Sequence, residues 1–310
     1  LPALSNARIG FHWCTLRYHE TVHVTLLELG AIALLGVGSG TLGAITGIGG
    51  GVIIVPALVL AFGFDFPTAV AASLTAVIAT STTTGTAYVG EGLTNMRLAM
   101  TLEVATSIGG ISGGFLGVLL PEPILSGVFA SAVISTAVLV AKGRSEHHIP
   151  AADGQSADPA TIPANSGPLD ARYFDAEANA KFVYHVQRVP LGMSVSYGAG
   201  VMSGLLGVGG GFIKVPAMNL VMVVPIKVAA ATSSFMIGVT AVSSFLVYLG
   251  RGEVHPAVTT PLVLGTVVGS LLGIRLHGRI RDRPLQLTLA GILVFVAVQM
   301  SLRAFGVGIG

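Results

Sequence analysis

The chain repeats itself, and that repetition limits its folds more than any other feature. Gly47-Ile48-Gly49-Gly50-Gly51-Val52-Ile53-Ile54-Val55-Pro56 returns 160 residues later as Gly207-Val208-Gly209-Gly210-Gly211-Phe212-Ile213-Lys214-Val215-Pro216. At nearly the same spacing, with a one-residue slip, Ala71-Ala72-Ser73 matches Ala230-Ala231-Thr232. Tyr88-Val89-Gly90-Glu91-Gly92 matches Tyr248-Leu249-Gly250-Arg251-Gly252, and Gly109 and Gly113 match Gly269 and Gly273. Two related halves must therefore pack against each other. In membrane carriers, duplicated halves of this kind meet around the substrate.

Composition identifies the solvent. The chain is 52% hydrophobic and only 10% charged, where soluble domains carry about 25% charge. An integral membrane protein follows. A closed barrel would show short alternating strands, whereas the apolar runs here are long and continuous, which favours helices. They lie near 22–46, 51–63, 67–89, 95–120 and 122–141, then 189–206, 211–224, 226–249, 254–276 and 284–305. The second run of each half would make only ~20 Å of helix, too little for a ~30 Å hydrocarbon core. Each half thus holds either a broken or re-entrant element with three full spans, or five crossings. Both counts are odd, so both turn the second half over. The expected fold is an all-α polytopic membrane bundle of two inverted repeats, each with a broken or re-entrant short helix.

The expected organisation is a polar tail over 1–20, opening at Leu1 rather than Met, then a first membrane repeat over 21–141. A cytoplasmic linker over 142–188 and a second repeat over 189–310 complete it. Pro150, Pro159, Pro163 and Pro168 mark the linker, and Arg172-Tyr173-Phe174 with Phe182-Val183-Tyr184-His185-Val186 make a candidate β-hairpin within it. Net charge is +2, from loop arginines, and reads as a positive-inside bias with no nucleic-acid partner expected. Arg275, Arg279, Arg281 and Arg283 then face the cytoplasm with Lys227, Arg97, Lys142, Arg144, Lys181 and Arg188, leaving Asp65, Glu122, Arg251 and both termini outside. Cys14, alone, excludes a disulfide framework within the chain.

Candidate chemistry gathers at the repeated motif. A helix start presents unpaired backbone N–H groups and about half a positive charge, which suits an anion. Gly49, Gly50, Gly51, Gly209, Gly210 and Gly211 would let a ligand reach that backbone, or alternatively serve close helix packing alone. Lys214, inside an apolar run where its repeat partner is Ile54, would add the charge that backbone donors lack. The alternative is a lysine that snorkels or is permanently paired. Glu103 could partner it or couple anion movement to protons, and Ser73, Thr232 and Ser233 could donate to an oxyanion or simply bond the preceding turn. A Walker A pattern does not occur, and the eight histidines lie in tails, loops or segment ends. Catalysis, a metal and a cofactor are not expected.

The twin Gly-x-Gly-Gly-Gly-x₄-Pro motifs ending at Pro56 and Pro216, the small-residue helix starts and the Tyr-x-Gly-x-Gly turns resemble the TauE/SafE sulfite exporter family over about 25–120 and 189–305. The resemblance implies a multi-pass permease of the inner (cell) membrane that moves small sulfur-containing anions, such as sulfite or organosulfonates, usually outward. It implies a small anionic substrate and the lipid bilayer as partners and leaves homo-oligomers open. A passive anion channel and a non-transporting scaffold or sensor acting through 142–188 are the competing readings.

Overall fold

In lipid every backbone polar group must be satisfied within its own segment, so long apolar runs of Ala, Leu, Val and Gly close as helices. A computed structural model describes residues 26–46, 49–90, 92–141, 169–175, 180–276, 291 and 294–302. The helices of the first half are α1 (Leu26–Thr46), α2 (Gly51–Ala61), α3 (Phe66–Gly90), α4 (Met96–Leu119) and α5 (Glu122–Ala141). The second half brings α6 (Val189–Leu206), α7 (Gly211–Pro216), a π-helical turn (Ala217–Val221), α8 (Ile226–Arg251) and α9 (Pro256–Leu276), and residues 294–302 are helical. Six of these helices, α1, α3, α4, α6, α8 and α9, are long and apolar enough to cross a membrane. The fold is an all-α polytopic membrane bundle. The expected tail over 1–20, linker residues 142–168 and Arg279, Arg281 and Arg283 lie outside the described residues.

The two short elements begin and end alike. The N–H groups of Ile53 and Ile54 reach Gly50 O, and those of Ile213 and Lys214 reach Gly210 O. At the far end Phe64 N bonds Leu58 O and Val224 N bonds Met218 O. In between, Pro56 is absorbed within α2, while Pro216 ends α7 and the chain widens into the π-helical turn. A proline removes one backbone donor, and a π-turn is one way to take up the mismatch. Both terminators need a left-handed residue: Gly63 (φ 71°) serves in the first copy and Val223 (φ 59°) in the second. A β-branched side chain there is strained.

The halves exchange helices. α1 packs along α9, α6 packs along α4, and α3 meets α8 at the centre. The reason is glycine at every crossing. Gly109 and Gly113 of α4 lie against the carbonyls of Tyr197 and Val201 on α6, and Gly269 and Gly273 of α9 lie against those of Val37 and Thr41 on α1. Conversely, Gly200 rests on Thr106 O and Gly40 on Thr266 O. Each partner in one seam stands 160 residues from its counterpart in the other. With no side chain between them the backbones touch, which is how helices gain attraction in a solvent as apolar as their own side chains. Thr41 Oγ1 donates to Gly269 O (3.0 Å) in one seam, and Tyr248 OH donates to Gly204 O (3.0 Å) beside the other.

The end of the linker is ordered as the sequence suggests. Strands β1 (Ala171–Asp175) and β2 (Ala180–Tyr184) pair antiparallel with Tyr173 opposite Phe182, their rings 5.8 Å apart. The hairpin is stitched to the bundle through Asn95. That side chain caps α4 by accepting from Leu98 N (3.1 Å) and donates to Tyr184 OH (2.9 Å) and Leu169 O (3.0 Å). Burial pushes the Tyr184 hydroxyl up to about 12, so the joint stays protonated at neutral pH.

Replacing Val223 by glycine removes the strained φ at the cost of some chain entropy. Val223→Gly should therefore raise stability by about 1 kcal/mol, read as a higher midpoint of thermal unfolding in detergent.

Candidate functional site

Gly49 (φ 84°) and Gly209 (φ 82°) hold a backbone conformation that only glycine adopts freely, and these turns aim α2 and α7 into the centre. They meet there. A Cβ at either Gly49 or Gly209 would face the same two side chains, Val77 of α3 and Ile237 of α8, both buried. Gly51 rests on the backbone of Gly207 and Val208, and Ser73 Oγ donates to Gly207 O (2.8 Å). A Cβ at Gly50 would stand 2.7 Å from Ser39 O, and one at Gly210 would stand 2.7 Å from Ala199 O. Packing alone thus demands glycine at 50, 51 and 210. Neither α2 nor α7 receives a side-chain cap at its start.

One turn into α7, Lys214 is 1% exposed. Its Nζ donates to Thr240 Oγ1 on α8 (2.6 Å) and stands 3.9 Å from Glu103 Oε2 on α4. The Thr240 hydroxyl is within 2.7 Å of Glu103 Oε1 and 2.9 Å of Met236 O, and its one proton can serve only one of them at a time. Ser107 Oγ donates to Glu103 Oε1 (3.1 Å), while Oε2 has no hydrogen-bond partner among the described residues. The acid comes from the first half and the base from the second. Thr240 lies three residues beyond Ile237, so the charged cluster sits about one helical turn, ~5 Å, from the glycine crossing.

The cluster has no twin. At the 160-residue offset, Lys214 and Thr240 correspond to Ile54 and Thr80 in the first half, and Glu103 corresponds to Val263 in the second. Ile54 is fully buried and Thr80 Oγ1 bonds Ala76 O (3.0 Å) in its own helix. The two halves share a scaffold and differ in charge.

Neither Thr232 nor Ser233 bonds Lys214 or Glu103 among the described residues. Thr232 Oγ1 accepts from Asn95 N (3.1 Å) at the hairpin joint. Ser233, fully buried, is the positional equivalent of Ser73 on the uniform spacing of the two central helices. Thr240, which bridges acid and base, escaped the sequence reading. The one sequence signal at that position is its match with Thr80 on the other central helix. An apolar cavity of about 460 Å³ beside α7, lined by Met202, Phe212, Pro216, Leu220, Ser131 and Ser135, does not include Lys214. No group of three metal-ligating side chains forms among the described residues.

A multi-pass bundle of two related halves, with short helices crossing at its centre beside a buried lysine–glutamate pair, is the architecture of a membrane transporter. The family model for the sulfite exporter TauE/SafE matches residues 32–300, and the chain belongs to that family. It is 25% identical to a probable membrane transporter protein, YunE, of Bacillus subtilis (strain 168), over 87% of this chain and 96% of that one. Against the probable membrane transporter protein MJ0441 of Methanocaldococcus jannaschii the identity is 25%, over 89% and 97% of the two chains. A probable membrane transporter protein of Xylella fastidiosa (strain Temecula1) is 35% identical over 40% of this chain and 47% of its own. No solved structure matches. The protein is a multi-pass transporter of the cell membrane.

Removing one member of a buried ion pair strands the other, at about 3–5 kcal/mol, whereas replacing both by apolar side chains is close to neutral. Lys214→Met and Glu103→Leu should each lower the unfolding midpoint in detergent. The double variant should recover most of the loss, giving a clear interaction term in the cycle.

Proposed function

We propose that the protein is a secondary carrier for small sulfur-containing anions, sulfite or an organosulfonate, working as an exporter by alternating access. The observation that carries this reading is Lys214. An ammonium fully buried in a membrane bundle is costly unless it has a ligand or a partner to meet. This one stands beside two uncapped helix starts whose N–H groups and dipoles favour negative charge. Family membership supports a sulfur oxyanion as the cargo.

In this reading the anion binds Lys214 at the edge of the glycine crossing, with backbone donors of 49–51 and 209–211 and the hydroxyls of Ser73 and Ser233 nearby. Val77 and Ile237 fill the crossing in the present conformation, so admission requires the two central helices to part. Alternating access is assigned to a rocking of two inverted repeats interleaved through the reciprocal α1–α9 and α4–α6 seams. Glu103 is the residue to which coupling is assigned.

The test is flux of sulfite, thiosulfate, taurine and sulfoacetate in proteoliposomes, normalised to folded protein. Lys214→Gln should cut flux of the transported anion at least tenfold. Unchanged flux removes Lys214 from the site. Labelled-for-unlabelled counterflow of that anion is expected of a carrier, and its absence with voltage-driven dissipation would make the protein a channel.

A further inference from the structure

The ion pair across the halves is made poorly for a structural one. A permanent buried pair compensates its desolvation with direct contact and fully used lone pairs. Here Nζ and Oε2 stand 3.9 Å apart, a hydroxyl bridges the other oxygen, and Oε2 has no donor among the described residues. The groups facing Glu103 are Lys214 and the hydroxyls of Thr240, Thr106 and Ser107, so Lys214 is its one charged neighbour among the described residues. In turn Glu103 is the one charged group facing Lys214 among the described residues.

Resting on the anion-carrier reading above, we propose that the transported anion and the Glu103 carboxylate compete for Lys214, and that Glu103 takes up one proton when a monovalent anion binds. Before entry the cluster holds one ammonium and one carboxylate. When a monovalent anion takes the ammonium, the displaced carboxylate has no second cation to turn to among the described residues, and a bare buried charge is costly. A proton from the open aqueous side neutralises it, giving the carboxylic acid. No bond in the cargo forms or breaks, and the site remains neutral throughout. On release the acid gives its proton to the opposite side and the carboxylate returns to Lys214. Anion and proton therefore travel together.

Three further features fit this exchange. Glu103 lies on α4, Lys214 on α7 and Thr240 on α8, so a movement of α4 against those two elements changes their separation directly. Thr240 is a positioning residue: its hydroxyl accepts from Nζ and donates to Oε1, which holds the acid within reach while keeping the pair from closing. The matching place in the other half, with Ile54 and Val263, has no charge to exchange, so one coupling site serves the whole carrier.

The decisive measurement uses the full-length protein in weakly buffered detergent with two probes, sulfite and methanesulfonate, the second of which does not itself titrate near neutrality. The wild type should take up about one proton per methanesulfonate bound, read by a pH dye, and anion affinity should fall as pH rises. Glu103→Gln should reduce that uptake at least tenfold and make affinity independent of pH. Glu103→Asp, which keeps a titrating carboxyl, should retain the uptake and covers the case in which the glutamine variant does not fold. Thr240→Val should shift the pH midpoint of binding, and Thr240→Ser should restore it. Binding or transport of either probe without proton uptake by the wild type, or with undiminished uptake by Glu103→Gln, overturns the exchange and leaves the carrier reading intact. If wild type and Glu103→Gln bind and transport neither probe, the anion reading falls and takes this proposal with it.

Discussion

Everything in the bundle depends on backbone meeting backbone. Lipid gives no hydrophobic reason for helices to associate, so attraction has to come from close contact, and close contact requires that nothing project from the crossing. Glycine at 109, 113 and 200 in one seam and at 269, 273 and 40 in the other meets that requirement. Because the same solution appears twice at one spacing, the two seams lock the halves together by exchanging α1 and α6. The exchange places α3 against α8 at the centre, and so decides what α2 and α7 point at.

At the centre the duplicated framework supports an unduplicated charge. Ile54, Thr80 and Val263 show what the position looks like when it serves packing alone, whereas Lys214, Thr240 and Glu103 put an ammonium and a carboxylate into the same mould. A symmetric pair of scaffolds gives a carrier its two faces. A single charged cluster shared between them distinguishes one position in that framework.

The glycine triplets carry two roles that are easily confused. Gly49 and Gly209 are needed for their left-handed turns, and Gly50, Gly51 and Gly210 for the lack of a Cβ against neighbouring backbone. Those needs hold with or without a ligand, so the repeated motif by itself is evidence for a crossing. The argument for anion binding at that crossing rests on Lys214, which packing would never have selected over the isoleucine of the other copy.

Much of this was readable in the linear chain. Duplication, membrane class, the helix positions, the two undersized elements and the hairpin near 171–184 follow from periodicity, composition and turn residues, because in lipid the backbone leaves a long apolar run almost no other choice. Lys214 and Glu103 stood out for the same reason, being charges where charge is expensive. What no local pattern encodes is which helix lies against which. The seams α1–α9 and α4–α6, the convergence of Gly49 and Gly209 on Val77 and Ile237, and the bridge from Lys214 through Thr240 to Glu103 join residues far apart in the chain. Side-chain absence at the crossings set those distances, and only the folded bundle brings the acid of one half to the base of the other.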